Sequence, residues 1–205
     1  MYKICAWALL ATFFSGPRLF AQSSWELKKD KDSVRIYTRT LPDSKFNELR
    51  AEFNLHGNFI QLRKILQDVE QYPAWVYATK TSKLVEKHNA NELVYYAEIT
   101  APWPISNRDY YSVTRIWLDS ADGKMHILSH NLPGAYPEMS HIVRIPLLKA
   151  VWTISPLSAG WIHVEYMLDW NPGGSIPAWL ANLFSTTGPS QSFGQLRKKM
   201  AQLNP

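Results

Sequence analysis

Among the residues whose chemistry could serve a ligand, Arg108 stands out, in the segment 102–111 with the sequence PWPISNRDYY. A guanidinium stays charged and presents a fork of donors suited to phosphate or hydroxyl groups. Pro102 and Pro104 each remove a backbone donor and impose extended geometry, which places the start of the segment on a sheet edge or in a loop. The residues after Ser106 have the character of a strand, where side chains alternate between faces. Arg108 and Tyr110 then share one face, and Asp109, Tyr111 and Trp117 share the other. Arg108 has two possible roles: meeting the polar head of a ligand, or pairing with Asp109 or Glu98. Asp109 is expected to cap or anchor a loop.

Catalytic patterns are missing from the sequence. His56, His88, His126, His130, His141 and His163 are scattered. His126 and His130 fall on one strand face but roughly 13 Å apart at about 3.3 Å per residue, too far to share a metal. No HExxH, GxSxG, phosphate-loop or dinucleotide-binding pattern occurs. Gly173-Gly174 lies between a strand and a helix, but without further glycines it is a turn rather than a phosphate cradle. No catalytic residue, metal ligand or cofactor is expected.

Length and composition agree with a binding protein. The chain has 205 residues, 46% hydrophobic and 13% aromatic, enough for one sizeable core. Tyr and Trp join large apolar area to a polar handle, which suits a cavity for an amphipathic ligand as well as it suits a plain core. Lys3, the apolar run 4–14, the breaker Ser15-Gly16-Pro17 and a cleavage point after Ala21 resemble a secretory signal peptide over residues 1–21. The protein is therefore expected to be exported, periplasmic or extracellular, with one domain over 22–205; an uncleaved N-terminal anchor is the alternative. Cys5, the single cysteine, lies in the signal segment, so a mature chain would have no thiol chemistry and no disulfide. The net charge of +5 falls to about +3 without Lys3 and Arg18, and the longest basic run is Arg197-Lys198-Lys199. That is no footprint for nucleic acid, although transient contact with a membrane surface fits it.

The elements that position these residues follow from periodicity. Strand patterns occupy 33–40 and 46–55, the latter with Leu49, Ala51, Phe53 and Leu55 on one face. Asn58 caps an expected helix with Phe59, Leu62, Ile65, Leu66 and Val69 on one stripe, ended by Tyr72-Pro73-Ala74-Trp75. Seven further strand patterns follow at 81–87, 92–99, 108–118, 124–130, 141–145, 149–155 and 161–170. In the last, Ile162, Val164, Tyr166, Leu168 and Trp170 share the inward face. Ser175 is expected to cap a final amphipathic helix, bent or interrupted at Gly188-Pro189. Strands in runs, then a long helix, predict an α+β architecture with an antiparallel sheet covered on one face.

Three segments taken together resemble the START (StAR-related lipid-transfer) family: Asp68 with Tyr72-Pro73-Ala74-Trp75; Pro102-Trp103-Pro104 followed by Asn107-Arg108-Asp109-Tyr110; and 171–182, NPGGSIPAWLAN. The resemblance spans about residues 25–200. It implies a helix-grip fold, a curved antiparallel sheet wrapped around the long C-terminal helix with an internal hydrophobic tunnel for one lipid. It also implies that Arg108 points into the tunnel. Candidate tunnel aromatics are Tyr95, Tyr96, Trp103, Tyr110, Trp117, Trp152, Tyr166 and Trp179. Strand parity keeps Tyr95, Tyr110 and Tyr166 on the inward face, with core packing the alternative for each. The expected ligand-binding set is Arg108, Tyr95, Trp103, Tyr110, Tyr166 and Trp179. The implied function is non-catalytic lipid binding or transfer by a monomer. The alternative is a polyketide cyclase-like enzyme of the wider grip-fold superfamily, in which Arg108, Tyr95 or His130 would donate protons or support an oxyanion.

Overall fold

The computed structural model describes residues 24–203. The signal segment 1–21, with Cys5 and the cleavage point after Ala21, lies outside the described residues.

The chain runs β1 (Glu26–Lys31), β2 (Val34–Arg39), β3 (Glu48–His56), α1 (Phe59–Gln67), a 3-10 turn (Val69–Ala74), β4 (Thr79–Asn89) and β5 (Glu92–Ile99). It continues through β6 (Asn107–Leu118), β7 (Met125–Asn131), β8 (Ile142–Arg144), β9 (Leu147–Pro156), β10 (Trp161–Asn171) and α2 (Ala178–Gln202). One sheet holds all the strands in the order β1-β2-β3-β10-β9-β7-β6-β5-β4, antiparallel along that path, with β8 beside β6 in parallel. The parallel β8 pair was not anticipated from the sequence. The sheet is curved, and α2 lies in its grip.

The strand patterns translate into burial as period-2 alternation requires. Leu49, Ala51, Phe53 and Leu55 of β3 are buried and face the buried Ile162 and Val164 of β10. α1 begins with a capping box: the Asn58 side chain accepts from the Gln61 backbone N–H, and the Gln61 side chain accepts from the Asn58 backbone. It buries Leu62, Ile65 and Leu66.

Two elements differ from expectation. β1, with the sequence ELKKDK, carries no strand signal because it is an edge strand; backbone pairing to β2 holds it while its side chains stay in water. α2 starts after Pro177 rather than at a Ser175 cap, and it runs unbroken through Gly188-Pro189. A helix-interior proline costs about 3 kcal/mol or more in isolation. Phe193, Leu196 and Met200, all buried on the following turns, tie the helix to the core and offset that cost.

Candidate functional site

Between the sheet and the first half of α2 lies a cavity of about 570 Å³. Its wall comes from β5, β6, β7, β9 and β10, the 3-10 turn and α2. Helix side chains set its position. Ser185, Gly188 and Ser192 are small residues on the cavity side of α2, beside Phe184, so the helix does not fill the space beneath it. Gly188 permits a close approach: a Cβ there would lie 3.2 Å from the Tyr77 ring. The Ser192 hydroxyl donates to the Gly188 carbonyl at 2.9 Å and accepts from the Tyr77 backbone N–H at 2.9 Å, fixing the helix to the loop before β4.

β6 supplies the polar face of the cavity. Arg108, Tyr110 and Thr114 point inward by strand parity and line it. Arg108 is only 6% exposed. Its Nη1 donates to the Ser106 carbonyl, and its Nη2 donates to the Gly173 carbonyl at 3.3 Å, while Nε is buried without a partner. Gly173 reaches that position through two successive left-handed residues, Gly173 and Gly174, at φ +68° and +62°. A Cβ on Gly173 would stand 2.9 Å from Pro146, so glycine is required there.

Both acids that might have neutralised Arg108 are occupied elsewhere. Asp109, 1% exposed on the opposite face of β6, accepts from Arg144 Nε at 2.7 Å and Nη2 at 3.2 Å. Arg144 also donates to the carbonyls of Tyr136 and Pro137 and lies over the Tyr111 ring. Asp109 is thus a structural anchor for β8 and the loop before it. Glu98 accepts from Lys80 at 2.9 Å and from Asn107 at 2.7 Å. Burial alone would raise its pKa, but those bonds hold it below the ordinary carboxylate range. Among the described residues Arg108 forms no salt bridge, and burial lowers its pKa from the usual arginine value.

Beside Arg108 runs a chain of rings in edge contact, Trp75–Tyr72 at 5.4 Å, Tyr72–Tyr95 at 5.4 Å and Tyr95–Tyr110 at 5.8 Å. The Tyr95 and Tyr110 hydroxyls are 3.5 Å apart, and Tyr72 donates to the Leu66 carbonyl at 2.6 Å. Burial pushes the phenols of Tyr72, Tyr95, Tyr110 and Tyr166 above their ordinary value, so all four stay neutral. The floor is Trp152 with Tyr166 at 4.8 Å and Phe193 at 5.5 Å.

Of the six residues proposed from the sequence, the fold brings Arg108, Tyr95, Tyr110 and Tyr166 to one cavity. It does not bring Trp103 and Trp179, which are 93% and 70% exposed. Trp103 rides the β5–β6 loop and Trp179 faces outward on the first turn of α2, while their neighbours Pro102 and Ile176 line the cavity instead. Of the other tunnel aromatics considered, Trp152 lines the cavity; Trp117 stacks on His126 at 5.4 Å and Tyr96 contacts Tyr111, both outside the wall. Tyr72, Trp75 and Trp170 were not singled out as wall residues, although Trp170 belonged to the inward face of its strand. His130 is exposed and outside the wall. Asp119, Asp122 and His126 come within 4.8 Å of one another at the β6–β7 hairpin, a partly exposed group of a kind common on surfaces without an ion.

A curved sheet gripping a helix around an apolar cavity defines a class of small-molecule-binding domains, and comparison with known proteins narrows it. The family model of the START domain matches residues 14–204, and the chain belongs to that family. An uncharacterized protein of Pseudomonas aeruginosa is 31% identical over 176 residues, covering 84% of this chain and 85% of its own. The phosphatidylcholine transfer protein of Bos taurus is 33% identical over 173 residues, covering 81% of this chain and 79% of its own. The crystal structure of a STAR-related lipid transfer protein fragment from Xanthomonas axonopodis superposes with a TM-score of 0.80 at 30% identity, covering 86% of this chain and 98% of that one.

Proposed function

We propose that this protein is a non-catalytic carrier that takes one lipid molecule into the cavity, with the lipid's polar head at Arg108. The observation that carries this reading is a buried guanidinium without a counter-ion in the wall of a largely apolar space. Burying such a charge is costly unless something pairs with it. Similarity to phosphatidylcholine transfer proteins supports a lipid as the partner. No His, Asp, Glu, Lys or Cys lines the cavity among the described residues, and burial holds the phenols of Tyr72, Tyr95, Tyr110 and Tyr166 neutral, which favours binding over proton transfer.

Trp103 and Trp179 sit on the two segments that carry the wall residues Pro102 and Ile176. Exposed tryptophans there suit transient contact with the interfacial zone of a membrane, where the cargo would be exchanged. We further propose that the chain acts as an exported monomer, which predicts a mature N-terminus at Gln22 on intact-mass measurement of the secreted protein. Native mass spectrometry of the protein after incubation with a bacterial lipid extract should show one-to-one adducts. If no lipid class binds, the carrier reading falls.

A further inference from the structure

A second cleft, of about 780 Å³, opens between the C-terminal half of α2, β1 with the turn that follows it, and the segment 73–78. Lys29 and Lys31 reach it from β1, and Arg197 and Lys198 from α2, against a single carboxylate, that of Asp32. Among the described residues none of these four cations forms a salt bridge. Their neighbours do: Lys28, Arg35, Arg39 and Arg50, on β1, β2 and β3, each have an acidic partner. Positive charge is therefore left unpaired in the cleft and paired on the sheet beside it.

Three features make the cleft more than a solvated patch. Pro73, Ala74, Trp75 and Val76 supply apolar wall, and a concavity of one charge sign beside low-dielectric surface focuses the field and concentrates counter-ions. The stretch from Trp75 to Ala78 also lines the lipid cavity, so it is the partition between two separate spaces. Arg197 is half-buried and held in place, its Nη1 donating to the Asp32 carbonyl in the β1–β2 turn. That one bond leaves the other guanidinium donors for a ligand. Gly194 lies in the interior of α2 and lines the cleft, where a Cβ would meet no described atom within 4 Å. Glycine weakens a helix interior relative to alanine, and packing does not ask for it here. Its missing side chain keeps the cleft clear.

We propose that this cleft is a second binding site, for a soluble ligand that carries two or more phosphate groups, separate from the lipid cavity and independent of the carrier reading. The cations come from two elements, and Lys29 and Lys31 lie about 7 Å apart along one face of β1, so a single phosphate does not engage them all. Arg197 donates as a fork to one phosphate group, and the lysines neutralise its neighbour as point charges. A recess framed by a helix and a strand admits a small polyanion more fully than it admits the flat surface of a bilayer.

Titration calorimetry with inorganic pyrophosphate tests this. Binding should be one-to-one and roughly tenfold or more tighter than for sulfate, as expected when a second anionic group adds charged hydrogen bonds. Arg197→Gln combined with Lys198→Gln should weaken pyrophosphate by a factor of about ten or more. Lys83→Gln combined with Lys87→Gln removes the same net charge from exposed positions on β4 outside the cleft, and should change the affinity by less than about twofold. Gly194→Glu puts a carboxylate into open space in the cleft; it should abolish binding with an unchanged or higher melting temperature, so the loss there is not one of folding. Equal losses in the two double variants would reduce the effect to net charge and overturn the site. Absence of pyrophosphate binding, or binding that survives Gly194→Glu, overturns it as well. A parallel arm offers vesicles of phosphatidylglycerol and phosphatidylcholine. Vesicle binding that needs Arg197 and Lys198 but is not displaced by pyrophosphate would assign the cleft to a membrane headgroup and refute the soluble ligand. Lipid uptake enters none of these readouts, so their failure leaves the carrier reading standing.

Discussion

The two halves of α2 face the same sheet and meet it differently. In the second half Phe193, Leu196 and Met200 enter the core; the Phe193 ring stacks on Phe53 at 4.5 Å and contacts Tyr166 at 5.0 Å. In the first half Ser185 and Gly188 line the cavity beside Phe184, and the small volumes of the first two leave space beneath them. One helix thus serves as wedge at one end and as roof at the other. Stability resides where large side chains interlock, and capacity for a ligand resides where they are withheld.

The largest expected effect is on the wedge. Phe193→Ala should cost about 3–5 kcal/mol in denaturant unfolding, whereas Ser185→Ala, whose hydroxyl bonds only the Asn182 carbonyl of its own helix, should cost under about 1 kcal/mol. Similar losses at both sites would mean that the two halves do not differ as described. The converse change fills the roofed space: Ala150→Phe, on the β9 wall, should reduce lipid uptake by roughly a hundredfold while leaving the melting temperature within a few degrees of wild type. A large drop in melting temperature would show that the space is not there to be filled.

The two faces of β6 repeat the contrast with charges. Arg144 is paired with buried Asp109, and Arg108 is not paired. Arg108→Leu should weaken uptake of anionic lipid about ten- to hundredfold with little change in unfolding free energy. Asp109→Asn should do the reverse, costing about 3–5 kcal/mol by leaving Arg144 without its partner. Equal loss of stability and uptake in Arg108→Leu would make that arginine structural.

A smaller effect concerns pH. The guanidinium stays protonated despite its burial, and the phenols of Tyr72, Tyr95, Tyr110 and Tyr166, raised above their ordinary value, stay neutral, so fatty-acid uptake should be flat between about pH 6 and 9. It should fall only below about pH 5, where the ligand's own carboxylate gains a proton. A titration centred near neutrality, followed by a fluorescent fatty acid, would require an ionisable group that the described wall does not contain. The smallest effect is at the rim: Trp103→Ser or Trp179→Ser should slow transfer between vesicles a few-fold without altering lipid affinity.

What could be read in advance depended on the range over which each property is set. Strand parity, a local rule, marks the apolar faces of β3, β5 and β10 and with them Tyr95 and Tyr166, and it puts Arg108 and Tyr110 on one face of β6; that this face points inward came from the family resemblance. Trp103 and Trp179 were misplaced because neither lies in a strand. Trp103 belongs to a loop whose course no periodicity dictates, and Trp179 lies on the first helical turn, where the start of α2 sets the facing. That start, two residues later than a Ser175 cap would place it, is settled by Pro177 and by packing. β1 escaped notice because an edge strand held by backbone bonds has no need of apolar alternation.

The alternation of the strands and the capping of α1 depend on neighbouring residues, and membership of the START family, with the inward Arg108 it implies, depends on the order of short motifs, so all of these are legible before any fold is known. The pairing of Asp109 with Arg144 and of Glu98 with Lys80, which leaves Arg108 without a carboxylate, is set by long-range packing. The fold likewise set the cavity of about 570 Å³ beneath α2 and which residues line it. Those facts depend on residues far apart in the chain, and no local pattern records which of them meet.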